Sequence, residues 1–466
     1  MAATFSRPTP EMARTGPTPL SSPPRLAATP PISNRALNQL SRKHRDGKVA
    51  LRQVAKRRLS LTHVYRRGLS PQSLQFLSDK ETLAGQSHSS PVVSVCWTRP
   101  STSTAGLVIS GDTDGRIKLF DAHSARAYRN LPVAHHNAVH CITANHTGTT
   151  VLTSAIDGTI TAWNLEPFAA QLSPGDDVDQ DGEVPLLLLP VEDAASLITG
   201  QIDSLPACPV GEAAQGGKLS EAWQTALHPT LPCFAAVGAG ATLTLHATPT
   251  SGDAVSFGTM LGRAQPPPSR TGSKDLFGLS LAFHASGTLL AVGTNTGRVL
   301  LYMLTWPSPH KPVLDLVAMF ADHPAPIRAL SFTDTLLLVG SDDRTVSVHD
   351  VQPILTAPGV LSDEEHVRLA GTVASLAAHK GWVLALGAPA ASTVFASVGA
   401  DKTIKFWDLA SATKSTPVFS ASEVKPIRAF AFQPRAGDEG TEATMTRFVT
   451  ASEDGALRWY RSAGLG

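Results

Sequence analysis

The stretch Ala396–Leu409, ASVGADKTIKFWDL, reads as a short strand, a tight turn carrying an aspartate, an alternating strand and an aromatic-Asp ending. Near copies stand at Ile109–Asp121 (ISGDTDGRIKLFD), Thr153–Asn164 (TSAIDGTITAWN), Val339–Asp350 (VGSDDRTVSVHD) and Thr450–Tyr460 (TASEDGALRWY). A unit that recurs in this way is one supersecondary piece that cannot cover its apolar faces alone and has to stack on its neighbours.

Seven units follow one another, opening at PVVSVCW (Pro91), AVHCITA (Ala138), WQTALH (Trp223), LFGLSLAF (Leu276), PIRALSF (Pro326), GWVLALG (Gly381) and PIRAFAF (Pro426). In each, three strands of period-2 alternation are joined by short turns, and a hairpin bearing Gly or Asp ties the second strand to the third. A fourth, outermost strand is expected to be less distinct, because one of its edges faces water. The aligned hairpin residues Asp114, Asp157, Gly240, Thr296, Asp343, Asp401 and Asp454 lie 43 to 58 residues apart, with a single gap of 83.

These units predict an all-β fold, a seven-bladed β-propeller over residues 80–466, preceded by a disordered Pro-rich and then basic extension over residues 1–75. The long gap is assigned to an acidic loop insertion at about residues 167–215, which carries Asp176, Asp177, Asp179, Asp181 and Glu183. VPLLLLP within it is expected to be the third blade's innermost strand or the outer strand preceding it, rather than a blade by itself. The last unit ends at Arg461, with no room for a fourth strand. The ring must therefore borrow one from before the first unit, and Glu81–Gly85, ETLAG, is the candidate.

Charge is distributed unevenly. Residues 1–70 hold fourteen Arg and Lys against two acids, although the whole chain has a formal net charge of only +1. The clusters Arg42–Arg45 and Lys56–Arg58 fit a nuclear-import signal, a contact with RNA, or a tail that only aids solubility. Direct nucleic-acid contact is expected nowhere else. No run of 18 apolar residues is present, so no membrane partner is expected. Four widely spaced cysteines point to neither a disulfide scaffold nor a zinc cluster.

The blade residues look chemical but read better as structural. His135 precedes Asp157 by 22 residues and His379 precedes Asp401 by 22, with 20 between His323 and Asp343; His88 and Asp114 are counted among the same structural blade residues. Such a pair, with a nearby hydroxyl and a Trp such as Trp163 or Trp407, satisfies half-buried polar groups inside one blade, and Trp459 is a further structural blade residue. Each pair sits in its own blade, so no two converge on a metal or substrate. The chain has no GxxxxGK[ST], HExxH, GxSxG or CxxC pattern, and the expectation is no catalytic residue, no cofactor and no metal. For partner binding the candidates are Trp97 and Trp382, as rigid aromatic surface, and Arg328 and Arg428, which share the place of Arg in the repeated PIRA. The two arginines either hold a peptide carboxylate or merely cap the core.

The repeats resemble the WD-repeat family: TIKFWD matches its unit ending, with TITAWN, RIKLFD and TVSVHD as partial matches. Within that family HPAPIRALSF, SDDRTVSVHDV, AHKGWVLAL, GADKTIKFWDL and the terminal RWYRSAG are similar to the seven-bladed subunit of the superkiller complex, shared in animals with the RNA-polymerase-II-associated factor complex. The resemblance implies a non-catalytic scaffold, both cytoplasmic and nuclear, that supports 3'-5' mRNA decay by the exosome. Its implied partners are a tetratricopeptide scaffold protein and a DExH RNA helicase, with a meiotic break-forming protein as an additional one. The alternative is a nuclear scaffold in a transcription-elongation, chromatin or ubiquitin-ligase complex. The basic extension and the acidic insertion depart from the family pattern.

Overall fold

A computed structural model describes residues 74–83, 85–98, 106–131, 135–145, 147–156, 158–165, 198–202, 222–248, 257–267, 276–308, 311–356, 372–389, 392–409, 416–434 and 447–463. All of them belong to the unit Arg58–Gly466, and the other unit, Met1–Arg57, lies outside the described residues together with the expected basic extension. The described chain forms seven four-stranded antiparallel sheets.

Six blades are built from consecutive strands, in the order innermost to outermost. Blade one holds Val92–Trp97, Leu107–Asp112, Ile117–Asp121 and Ala127–Asn130, and blade two holds Val139–Ala144, Thr150–Ala155, Ile160–Asn164 and Ile198–Ile202. Blade three holds Ala222–Leu227, Cys233–Gly238, Leu243–Ala247 and Met260–Ala264. Blade four holds Gly278–Phe283, Leu289–Thr294, Val299–Ser308 and Lys311–Phe320. Blade five holds Ile327–Phe332, Leu336–Ser341, Val346–Asp350 and Thr372–Leu376, with a short helix, Gln352–Thr356, before its last strand. Blade six holds Val383–Gly387, Val394–Gly399, Thr403–Asp408 and Phe419–Ser422. The seven innermost strands pack on one another in a closed cycle. No described helix is long and apolar enough to cross a membrane.

The local sequence explains this arrangement. The second strand of a blade has a neighbouring blade on each face, so in blades one, three, four and five it reads as a near-continuous apolar run, LVISGD, CFAAVG, LLAVGT or LLLVGS, and is buried at every residue. The glycine in such runs is where blades come closest: a Cβ on Gly111 would lie 2.6 Å from Val139 Cβ of the next blade. The following hairpins all turn through a left-handed residue at one position, Gly115, Gly158, Ala241, Gly297, Arg344, Lys402 and Gly455.

Blade seven joins the two ends of the chain. Ile427–Phe432, Arg447–Ser452 and Leu457–Ser462 come from the last unit, and the outer strand is Phe76–Glu81, paired antiparallel with Phe76 opposite Ser462 and Glu81 opposite Arg458. The closing strand thus shares only Glu81 with the expected Glu81–Gly85 and otherwise precedes it. The reason is packing: Phe76 stacks on Phe406 at 4.5 Å and meets Phe448 edge-on at 5.1 Å, an anchor that ETLAG lacks. Thr82 still bonds Leu457, but Leu83 is 59% exposed and accepts bonds from Gln86 and Ser87, so the chain turns there. Within the interval assigned to the acidic insertion, Ile198–Ile202 is the fourth strand of blade two; Asp176–Glu183 and VPLLLLP lie outside the described residues.

Candidate functional site

Four residues before the innermost strand of blades one, two, five and six stands a histidine: His88, His135, His323 and His379. A buried imidazole needs partners on both nitrogens. In blade six the chain of bonds is complete. Trp407 Nε1 donates to Ser397 Oγ at 2.8 Å, Ser397 lies 2.8 Å from His379 Nε2, and His379 Nδ1 donates to Asp401 at 2.9 Å. Burial resists ionisation of Asp401, but bonds from His379, the Lys380 amide and Thr403 outweigh it and hold the carboxyl well below its usual range.

The other blades vary this wiring. In blade five His323 donates to Asp343 at 2.7 Å, and its Nε2 meets Ser347 on the third strand, with His349 where blade six has Trp407. In blade two His135 meets Thr159 and Thr153, and Trp163 donates to Thr153 at 2.9 Å, while Asp157 lies outside the described residues. Blade one uses a different aspartate from the one at its turn. His88 donates at 2.8 Å to Asp112, not to Asp114, because Asp112 ends the second strand and is fully buried beside the ring, whereas Asp114 at the turn accepts from Ser90.

Blade seven has no histidine at this position. Glu423 occupies it, and Thr450, Tyr460 and Arg458 donate to its carboxylate at 2.6, 3.1 and 3.0 Å. Tyr460, not Trp459, holds the place that Trp407 has in blade six. Trp459 instead packs edge-on against Phe120 of blade one at 5.9 Å, and its indole nitrogen has no hydrogen-bond partner among the described residues. Asp454 accepts from Arg458 at 2.6 Å. Among the described residues no group of three or more His, Cys, Asp or Glu is placed to hold a metal.

A second arrangement encircles the axis. Every innermost strand breaks register at its second residue: Val93, His140, Trp223, Leu279, Arg328, Leu384 and Arg428. A bulge at one place in all seven strands re-aims one side chain per blade. All seven of those side chains line a cavity of about 240 Å³ on the axis. They sit on the hairpin side of the ring, since Asp342 and Glu453 in the hairpins of blades five and seven bond Arg328 and Arg428 at 2.9 and 2.6 Å. His140 lies against Trp223 at 4.0 Å between ring centres, and burial, aided by the charges of Arg328 and Arg428, pushes it down to about 4.

The four partner-binding candidates separate here. Arg328 and Arg428 reach the cavity on either side of Leu384. Trp382, one residue before the innermost strand of blade six, is 49% exposed with the Arg328 guanidinium 5.5 Å from its ring centre. Trp97 is not on a face. It is 4% exposed in the core between blades seven and one, because a large ring near the end of an innermost strand faces the neighbouring blade. Reading from sequence missed His140, whose only signal was a lone histidine in a strand. It also missed Glu423, which shares the four-residue spacing of the histidines.

Comparison with known proteins agrees with this architecture. The WD40 family (WD domain, G-beta repeat) matches residues 80–121, 129–164, 314–350 and 371–408. These segments contain the third strands of blades one, two, five and six, the blades with the histidine. Echinoderm microtubule-associated protein-like 2 of Rattus norvegicus and that of Mus musculus are each 26% identical over 374 residues, 76% of this chain and 50% of theirs. The Homo sapiens protein of that name is 25% identical over 375 residues. The chain thus spans about half the length of the curated relatives it matches. WD40 propellers serve in general as scaffolds for protein interaction and are generally non-catalytic. The described chain is thus a seven-bladed all-β propeller, and four of its blades match the WD40 repeat.

Proposed function

We propose that this protein holds segments of partner proteins on the hairpin side of its ring and catalyses no reaction. The observation that carries this reading is the surface around Trp382: a half-exposed indole against the guanidinium of Arg328, which itself lines the axial cavity. A large ring ordered before binding costs little further entropy, which is the make-up of an interface hot spot. The reading extends to a superkiller-type assembly, with a tetratricopeptide scaffold and a DExH helicase as partners and exosome-dependent mRNA decay as the process. What supports that extension is the resemblance of blades five to seven and of the terminal RWYRSAG. A second reading, association with microtubules, is favoured by the name of the relatives that align with 76% of the chain.

Affinity capture with the full chain tests both. The first reading expects a tetratricopeptide protein and a helicase to be recovered, and recovery to drop at least tenfold with Trp382→Ala. Co-sedimentation of the purified chain with polymerised tubulin, without such recovery, selects the second. Capture unchanged by Trp382→Ala moves the binding surface elsewhere.

A further inference from the structure

We propose, building on the peptide-holding reading above, that the axial cavity takes the C-terminus of a partner peptide whose last residue is apolar. The terminal carboxylate lies between Arg328 and Arg428, and the last side chain points down the axis.

The charge on the ring of bulge residues is one-sided. Arg328 and Arg428 are its cations, and among the described residues no acidic side chain lines the cavity. His140 is held neutral at pH 7 by its burial and by those two charges, so it does not compete for an anion.

Arg328 is fixed in advance. Its Nε donates to both oxygens of Asp342, at 2.9 and 3.0 Å, and its guanidinium rests over Trp382. Both of its terminal nitrogens are without a hydrogen-bond partner among the described residues. Arg428 engages Glu453 through Nε and Nη2, which leaves Nη1 for a ligand. A guanidinium already held on its inner edge loses little freedom when it binds a carboxylate with its outer edge.

Beyond the arginines the lining is mixed: Ile142, Leu279, Leu330, Leu384 and Leu386 supply apolar wall, and Ser94, His140, Gln224 and Ser280 supply polar groups. The volume, about 240 Å³, is below the range of about 300–1,000 Å³ usual for drug-sized ligands and above the roughly 150 Å³ that encloses a benzene ring. It suits one side chain. A free inorganic anion would leave the apolar lining unfilled, and an internal Asp or Glu would place its own charge where an apolar group belongs. A terminal residue carries an apolar side chain and a carboxylate on the same carbon.

The test uses the full chain and fluorescein-labelled hexapeptides ending in Leu, Ile, Val or Phe, each as free acid and as amide, read by fluorescence polarisation. At least one free acid is expected to bind saturably, at least tenfold more tightly than its amide, and to lose that preference in the double variant Arg328→Gln, Arg428→Gln. Leu384→Trp, which fills the cavity and leaves both arginines in place, is expected to abolish binding at an unchanged melting temperature. Equal binding of acid and amide, stronger binding of an amidated peptide with an internal Glu, or no saturable binding of any free acid overturns the proposal. Capture of partner proteins that free-acid peptides fail to displace overturns it too, and leaves the scaffold reading standing.

Discussion

Blades six and seven solve one problem in two ways. In both, the loop entering the innermost strand must place a polar side chain against the hydroxyl of the second strand, Ser397 in blade six and Thr450 in blade seven. Blade six uses His379, and its bonds begin and end within the blade, from Trp407 to Asp401. Blade seven uses Glu423, and the carboxylate draws in Arg458, which also bonds Asp454 and reaches Glu81 of the closing strand at 2.7 Å. A histidine completes a blade whose four strands are consecutive. The glutamate helps tie a blade whose fourth strand arrives from the far end of the sequence.

The sharpest way to break that comparison is to remove the aromatic anchor of the closing strand. Phe76→Ala is expected to cost about 3–5 kcal/mol, since the ring is buried between Phe406 and Phe448 and nothing nearby can refill the space. Phe419→Ala, on the corresponding outer strand of blade six, removes a ring that is only partly buried and is expected to cost less. Urea denaturation of both variants decides it. If the two costs are equal, the closing strand adds nothing beyond an ordinary outer strand.

Next in size is the carboxylate at the end of the histidine chain. Asp401→Ala leaves His379 Nδ1, the Lys380 amide and Thr403 without their acceptor and is expected to cost about 1–3 kcal/mol. In blade one the same cost is expected at Asp112, while Asp114→Ala stays within about 0.5 kcal/mol. The melting temperatures of Asp112→Ala and Asp114→Ala check this; a larger loss at Asp114 would reverse the assignment of the His88 partner.

That pair also marks how far the sequence can be read. Seven units, their hairpins and a borrowed closing strand are legible because period-2 alternation and left-handed turn residues act locally. GDTDG offers two aspartates, and only burial against His88 chooses between them. Trp459 and Tyr460 likewise point to opposite faces of one strand, and the blade seam decides which ring meets Glu423. The closing strand is misplaced because its signal is a contact between Phe76 and Phe406, far apart in sequence. The axial ring leaves no periodic trace: a bulge is an interruption of alternation, and only the recurrence of PIRA pointed to two of its seven members.

The smallest effect, one of slope rather than of size, separates the two networks most cleanly. The Asp401 carboxyl is held down in the folded protein, so its contribution is complete above an unfolded value of about 4 and is lost as the pH falls below it. Glu423 shifts the other way. Burial raises it, and bonds from Thr450, Arg458 and Tyr460 only partly offset that, because the single Arg458 guanidinium also serves Glu81 and Asp454. Its contribution is therefore complete below about pH 4 and is lost as the pH rises through the folded value. The stability difference between the native chain and Asp401→Asn should grow from pH 3.5 to 7, and that for Glu423→Gln should shrink, each by at most about 1.4 kcal/mol per pH unit. Urea midpoints measured across this range supply both slopes. Slopes of the same sign would mean that the Arg458 charge governs Glu423 after all, and that blade seven is wired like blade six with a different acid.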